Sequence, residues 1–233
     1  MSSECPLSSH SSDSFPSLGL FTETDLAQPA RTEQIGQQSR VLRGFALPWI
    51  ERLLPALRSV LAAAPFRSMV TPGGFTMSVA LSSCGNLGWT TDPSGYRYAR
   101  LDPQTGQPWP AMPGVFEQLA RAAAQAAGFD GFSPDSCLIN RYVAGARMSL
   151  HQDKNERDYS APIVSVSLGL PAMFLFGGEQ RSDRQLRVPL LHGDVVVWGG
   201  VDRLRFHGVL PLKAGRHEQM GEQRINLTFR HAG

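Results

Sequence analysis

The amino-acid sequence predicts an α+β protein that is mainly β: a double-sheet jelly roll in the C-terminal half, with helices from the N-terminal half packed outside it. Three observations point there. From about Ser136 onward, short runs rich in β-branched and aromatic residues are separated by Gly, Pro and Asp, the spacing of a sandwich or barrel. Ahead of them, two segments repeat apolar residues with a helical period. The composition, 42% apolar and 18% charged over 233 residues, is that of a soluble domain large enough to bury one substantial core.

The elements follow in chain order. Residues 1–18 hold eight serines and no apolar periodicity; such a composition cannot offset its ordering entropy and reads as a disordered tail. The domain then occupies 19–233, its first ordered residue falling between Leu18 and Val41. The start has neither a basic n-region nor an apolar run, so no secretory signal is expected. No stretch approaches the roughly 18 apolar residues of a membrane helix, so no membrane partner is expected. Cys5, Cys84 and Cys137 show no CxxC spacing, which argues against a disulfide framework or zinc ribbon and for the cytoplasm. Residues 1–38 carry five acidic groups and only Arg31 as a base, leaving the remainder with six more basic than acidic groups. That excess is compatible with a nucleic-acid partner without establishing one.

"PWIERLLPALRSVLAAAPF" (48–66) reads as an amphipathic helix interrupted or kinked at Pro55. "PGVFEQLARAAAQAAG" (113–128) is the clearest helix, with Val115, Phe116, Leu119, Ala122, Ala123 and Ala126 as its apolar stripe and Gly128 as its stop. Residues 85–113, "GNLGWTTDPSGYRYARLDPQTGQPWPAMP", lack apolar periodicity but carry two Trp and two Tyr. A loop this long in a compact domain is functional or disordered, and its aromatics argue for function. The jelly-roll core then spans about 136–233, through "SCLINRYV", "RMSLHQD", "PIVSVSLG", "AMFLFGG", "QLRVPL", "DVVVWGG", "RLRFHGV" and "RINLTFR".

Chemistry concentrates in these strands. In "SLHQD", His151 and Asp153 stand at i and i+2 and project from the same face of an extended segment. In "RLRFHG", Arg203, Arg205 and His207 share the face opposite Leu204 and Phe206. Two imidazoles and one carboxylate form the donor set of a non-heme Fe(II) site that leaves positions free for substrate and oxygen. The absence of matching cysteines disfavours structural zinc. HxD…H alone is weak, since such trios arise by chance. His192 reads as a turn residue, and His10 and His217 as solvated. The last strand adds an independent sign: Arg224, Asn226, Thr228 and Arg230 fall on one face, and Ile225, Leu227 and Phe229 on the other. Two guanidiniums on a central strand must be solvated, paired, or lining a pocket for an anion, and a guanidinium grips a carboxylate bidentately where a lysine cannot.

With those residues in hand, "LINRY", "SLHQDKNERD", "APIVSVSLGLPAMFLFGG", "HGDVVVWGG", "FHG" and "RINLTFR", together with "MVTPGGFTMSVALSSCGNLGWTT" and "LDPQTGQPWPAMP", closely resemble the bacterial AlkB family of Fe(II)/2-oxoglutarate-dependent dioxygenases, from roughly Val41 to Ala232. The resemblance implies a double-stranded β-helix core and Fe(II) bound by His151, Asp153 and His207. It implies 2-oxoglutarate held by Arg224 and Arg230 with Asn140, Tyr142 and Asn226, and O2 as the second co-substrate. The implied activity is oxidative demethylation of N-alkylated bases in single- or double-stranded DNA, with RNA as an alternative, by a monomeric enzyme that releases formaldehyde. Residues 85–113 become a nucleotide-recognition lid, with Trp89 stacking on the base, Tyr96 and Tyr98 contacting the nucleotide, and Asn155 and Arg181 beside it. One position departs: the family members resembled carry aspartate where this chain has Asn155. Asparagine keeps an acceptor and loses the charge, which implies a weaker preference for cationic lesions and a flatter pH profile than an Asn155→Asp variant would show. Two other readings compete, an Fe(II)/2-oxoglutarate hydroxylase acting on a small molecule or protein side chain, and a non-enzymatic metal-binding jelly roll that leaves the Arg224/Arg230 face unexplained.

Overall fold

The computed structural model describes residues 31–233; the expected tail over 1–18 and His10 lie outside them. The described residues open with a hairpin of β1 (Thr32–Gly36) and β2 (Ser39–Leu42), then pass through a 3-10 turn at Leu47–Trp49 into α1 (Ile50–Ala63). Two further hairpins follow, β3 (Arg67–Val70) with β4 (Thr76–Gly85) and β5 (Gly88–Asp92) with β6 (Gly95–Ala99). After α2 (Gly114–Ala126) come β7 (Ser136–Tyr142), β8 (Met148–His151), β9 (Ile163–Gly169), β10 (Ala172–Phe176), β11 (Leu186–Leu190), β12 (Val195–Trp198), β13 (His207–Val209) and β14 (Arg224–Arg230). Each of the eight runs expected to be β contributes a strand.

Eight strands form one sheet in the order β1-β2-β12-β9-β14-β7-β4-β3, and four form a second in the order β11-β10-β13-β8. The inner strands of the large sheet are buried on both faces, each face serving a different core. Val164, Val166 and Leu168 of β9, Val195 and Val197 of β12, and Ile225, Leu227 and Phe229 of β14 pack against Leu53 and Leu57 of α1 and Phe116, Leu119 and Ala123 of α2. Phe116 meets Phe229 edge-on at 5.9 Å, a geometry worth about 0.5–1.5 kcal/mol beyond area burial. On the opposite face Leu81, Leu138, Ile163, Val196 and Trp198 meet Phe174, Phe176, Val188, Leu190 and Val209 of the small sheet. The result is helices, large sheet and small sheet in three layers, and the jelly roll is the last two.

The sequence expectation differs from this fold in four places. The N-terminal part is not simply helical, because β1 to β4 extend both edges of the large sheet. β4 hides its strand character: Ser82, Ser83 and Cys84 are all buried, so the polar/apolar alternation that marks a strand is missing. α1 runs through Pro55 without interruption. Pro55 has no N–H to donate to the Glu51 carbonyl, and both residues are exposed, so water can take the freed carbonyl. The buried stripe of α2 is Phe116, Leu119, Ala120, Ala123 and Ala124, with Ala127 beyond it, turned slightly from the expected one; Ala126 is exposed. Gly128 does end the helix, at φ +92°. Finally, residues 85–113 are not one irregular loop, since β5 and β6 form a two-stranded hairpin within them.

Candidate functional site

A cavity of about 800 Å³ opens between the two sheets, floored by β7 and β14 and walled by β8 and β13. His151 ends β8 and His207 begins β13, and the antiparallel register sets them directly opposite one another, with ring centroids 4.4 Å apart. Asp153, two residues past His151, turns back so that its carboxylate oxygens lie 3.7 Å from Nε2 of each histidine. One ligand atom from each of the three lies within 4.8 Å of the others. Nδ1 of His151 donates to the Ser149 carbonyl at 2.8 Å and Nδ1 of His207 to the Arg205 carbonyl at 3.0 Å. This fixes the proton on the outer nitrogen and leaves each Nε2 lone pair facing the centre, the arrangement that orients metal-binding imidazoles. The donor set therefore fits a divalent iron.

Loss of hydration, and then the nearby His207, push His151 down to about 4, and loss of hydration with His217 alongside does the same to His192. Both rings are neutral near pH 7. Because the folded values lie below the ordinary histidine value of 6.5, the unfolded chain takes up protons first as the solution is acidified. Thermal unfolding of the metal-free protein is expected to show a melting temperature that holds above about pH 6.5 and falls toward pH 4; a melting temperature that is flat or rises across that window would contradict these environments.

Beside the trio, the polar face of β14 looks into the cavity as expected, and all four of Arg224, Asn226, Thr228 and Arg230 line it. Arg224 is buried, lies over the Tyr142 ring at 5.0 Å and donates to Ser167 Oγ at 2.9 Å. Its Nε and Nη1, like Asn140 Oδ1 and Arg230 Nη1, have no protein partner among the described residues. Buried polar groups are nearly always satisfied, and burial already pushes the Arg224 guanidinium below its usual range. A buried guanidinium with donors left over fits a carboxylate. Asn226 is occupied differently: it donates to Ser165 Oγ and the Val166 carbonyl and accepts from Thr228.

Arg230 holds Asp153 at 2.6 Å and Glu156 at 3.3 Å. Burial of Asp153 opposes ionisation, but Arg230 and the two imidazoles outweigh it and keep its carboxyl well below the usual range. Glu156, buried at 6% exposure, is a residue that sequence reasoning missed, because in "SLHQDKNERD" it reads as one charge in a solvated run. It accepts from Tyr98 at 2.7 Å and from Arg203 at 3.1 Å. Tyr98 donates its hydroxyl to Glu156, and the residue is absent from the cavity lining. Arg203 and Arg205 depart from the strand face expected for them. β13 begins only at His207, and the chain before it turns through a 3-10 segment at Gly200–Asp202. Arg203 points inward to Glu156 and Arg205 pairs with Asp202 at 2.6 Å.

The cavity mouth is aromatic. Trp89 on β5 and Tyr96 on β6 stack at 5.6 Å with planes 24° apart, and Tyr96 is 46% exposed. Phe75, at the tip of the β3–β4 hairpin and 76% exposed, lines the same mouth and was also missed; its only sign in the sequence is an aromatic directly after the turn "TPGG". Arg181 lines the cavity as expected, donating to the Leu150 carbonyl at 2.6 Å with its guanidinium over Phe206. Asn155 accepts from the Trp89 indole at 3.3 Å. His192 lies in its expected turn, accepting from the Gly169 amide and packing at a tilt against His217, which is therefore only partly solvated. Trp109 anchors the hairpin from below by donating to the Ala99 carbonyl at 3.0 Å. A Cβ on Gly88 would meet the Trp109 ring at 2.2 Å, so Gly88→Ala is expected to displace the hairpin and raise the oligonucleotide KM more than the co-substrate KM; equal changes in both would contradict a lid role.

A family model described as the 2OG-Fe(II) oxygenase superfamily matches residues 38–230. The chain is 55% identical over 216 residues to the alpha-ketoglutarate-dependent dioxygenase AlkB of Escherichia coli strain K12, covering 93% of this chain and 98% of the relative. The chain belongs to the bacterial AlkB family. It is 58% identical over 200 residues to the AlkB of Salmonella typhimurium strain LT2, covering 86% of this chain and 93% of that one. Among solved structures, that of OsALKBH1 superposes with a TM-score of 0.71 at 27% identity, covering 86% of this chain and all of that one. This AlkB-family protein is accordingly an Fe(II)/2-oxoglutarate-dependent dioxygenase with a jelly-roll core. No helix among the described residues is long and apolar enough to cross a membrane.

Proposed function

We propose that this enzyme oxidatively demethylates N-alkylated bases in DNA, with RNA as an alternative substrate, and acts as a monomer in the cytoplasm. One observation carries the reading: an aromatic mouth built from Trp89, Tyr96 and Phe75 opens onto the same cavity that holds the His151–Asp153–His207 trio and the unpaired Arg224 fork. A base buried in a duplex cannot reach the bottom of such a cavity, so it enters flipped or single-stranded and gains stacking on an aromatic face.

In this reading His151, Asp153 and His207 bind the iron. Arg224 takes the far carboxylate of 2-oxoglutarate, Asn140 and Arg230 reach its oxo-acid end, and Tyr142 and Asn226 shape the pocket. When bound, iron and 2-oxoglutarate with O2 supply the oxidation of an N-methyl group, with succinate, carbon dioxide and formaldehyde as products. The protein's own work is positioning and exclusion of water: Trp89 carries the base, Arg181 and Asn155 flank it, and the buried Glu156 keeps Arg230 in place beside Asp153.

The test is formaldehyde release from a panel of single- and double-stranded oligonucleotides, each with one methylated base, in the presence of Fe(II) and 2-oxoglutarate. Repair of at least one lesion is expected. Turnover of 2-oxoglutarate without repair of any would favour a hydroxylase acting on a small molecule or protein side chain.

A further inference from the structure

We propose that Arg203 is a positioning residue for the iron site: it holds the backbone at Asp153 so that the carboxylate faces the two imidazoles. This role rests on the reading that His151, Asp153 and His207 bind the iron, and it extends that reading to a residue outside the cavity.

The need for such a residue comes from the fold. β8 lies at the edge of the small sheet, beside β13, and ends at His151. Residues 152–162 belong to no helix or strand, so no ladder of backbone hydrogen bonds sets the direction in which Asp153 projects. A metal site needs its ligands placed to within about 0.5 Å. Side chains take over where the ladder stops. Arg203 donates through Nη1 to the Asp153 carbonyl at 2.7 Å, and Gln152 donates to the Leu204 carbonyl at 2.6 Å. Two adjacent residues on each segment thus exchange bonds, which carries the β8–β13 pairing past His151 to the carboxylate ligand.

Arg203 is placed to act through Asp153 alone. It is 3% exposed and is not among the residues that line the cavity. Its three nitrogens serve three different residues of the same segment. Nη1 bonds the Asp153 carbonyl, Nη2 the Glu156 carboxylate at 3.1 Å, and Nε the Ala161 carbonyl at 3.1 Å. The Tyr159 ring covers the guanidinium at 5.4 Å, and its hydroxyl donates to the Lys154 carbonyl at 2.9 Å. Residues 153–161 are therefore wrapped around one buried cation. Arg230 grips the side chain of Asp153 at 2.6 Å, and Arg203 fixes the main chain of the same residue. Glu156 needs only a positive charge, which a lysine supplies. The two carbonyls need the guanidinium, because an ammonium is one nitrogen where the guanidinium presents three in fixed directions.

The experiment titrates the metal-free full-length protein with Mn(II) alone, well below the melting temperature of each variant, and reads free Mn(II) by electron paramagnetic resonance. Arg203→Lys keeps the charge beside Glu156 and loses the fixed fork. Its Mn(II) dissociation constant is expected to rise about tenfold or more, the scale for residues that orient the ligands of a metal. Arg203→Leu is expected to show the same rise with a lower melting temperature, since it leaves Glu156 with Arg230 as its cationic partner; should it fail to fold, Arg203→Lys decides. Mn(II) affinity in folded Arg203→Lys equal to that of the wild type would reduce Arg203 to a counter-charge for Glu156 and overturn the proposal, leaving the iron site standing. Asp153→Ala is titrated alongside and is expected to lose Mn(II); retention of the metal there would overturn both.

Discussion

Asp153→Ala is expected to abolish demethylation and to leave the protein unable to retain iron. Among the described residues Asp153 is the one carboxylate in the lining, and it stands 3.7 Å from Nε2 of both His151 and His207, so two imidazoles alone remain in the variant. A catalytic metal contributes several kcal/mol of transition-state stabilisation. At about 1.4 kcal/mol per tenfold in rate, its loss costs on the order of a thousandfold or more. The same substitution removes the 2.6 Å partner of the buried Arg230, although Glu156 at 3.3 Å keeps the guanidinium paired; a modest fall in melting temperature is therefore expected rather than unfolding. Iron content after dialysis and formaldehyde release together check this. A variant that binds iron stoichiometrically and turns over would show that the metal sits elsewhere.

Arg224→Lys separates the co-substrate from the metal. Arg224 is one of the largest fully buried side chains, and its Nε and Nη1 have no protein partner among the described residues, which leaves guanidinium donors for a carboxylate. A lysine places a point charge on a flexible stem and cannot make the paired contact. Charge-assisted hydrogen bonds are worth about 1.5–3 kcal/mol, so the KM for 2-oxoglutarate is expected to rise roughly 10- to 100-fold with iron binding retained. Co-substrate affinity equal to that of the wild type would refute the assignment.

How far the sequence could be read depended on whether a residue's surroundings are local. The two faces of β14 were legible because seven consecutive residues alternate without a break, and the fold uses one face for the helix-side core and the other for the cavity. His151 and Asp153 were read from the same alternation, although β8 ends at His151 and Asp153 lies just beyond the strand. Their convergence with His207 was an inference from residue type, and the fold provides it through the β8–β13 register. Glu156, Arg203 and Tyr98 could not be read in this way: Glu156 meets Arg203 at a separation of 47 residues and Tyr98 at a separation of 58, and nothing in a charged run reveals which acid turns inward. β4 was missed because burial on both faces removes alternation, and the β5–β6 hairpin because its buried positions include Thr90 and Thr91 while Trp89 and Tyr96 line the cavity mouth, so no apolar alternation marks it.

The proposed function places one iron between His151, Asp153 and His207, with 2-oxoglutarate reaching from it to Arg224. The most direct measurement is an anaerobic crystal structure with Mn(II) standing in for iron and with 2-oxoglutarate, the metal located by its anomalous scattering. The account predicts one peak within coordination distance of both Nε2 atoms and the Asp153 carboxylate, and the distal carboxylate of 2-oxoglutarate on the Arg224 guanidinium. A metal bound away from these three side chains, or a co-substrate carboxylate that leaves Arg224 unpaired, would contradict it.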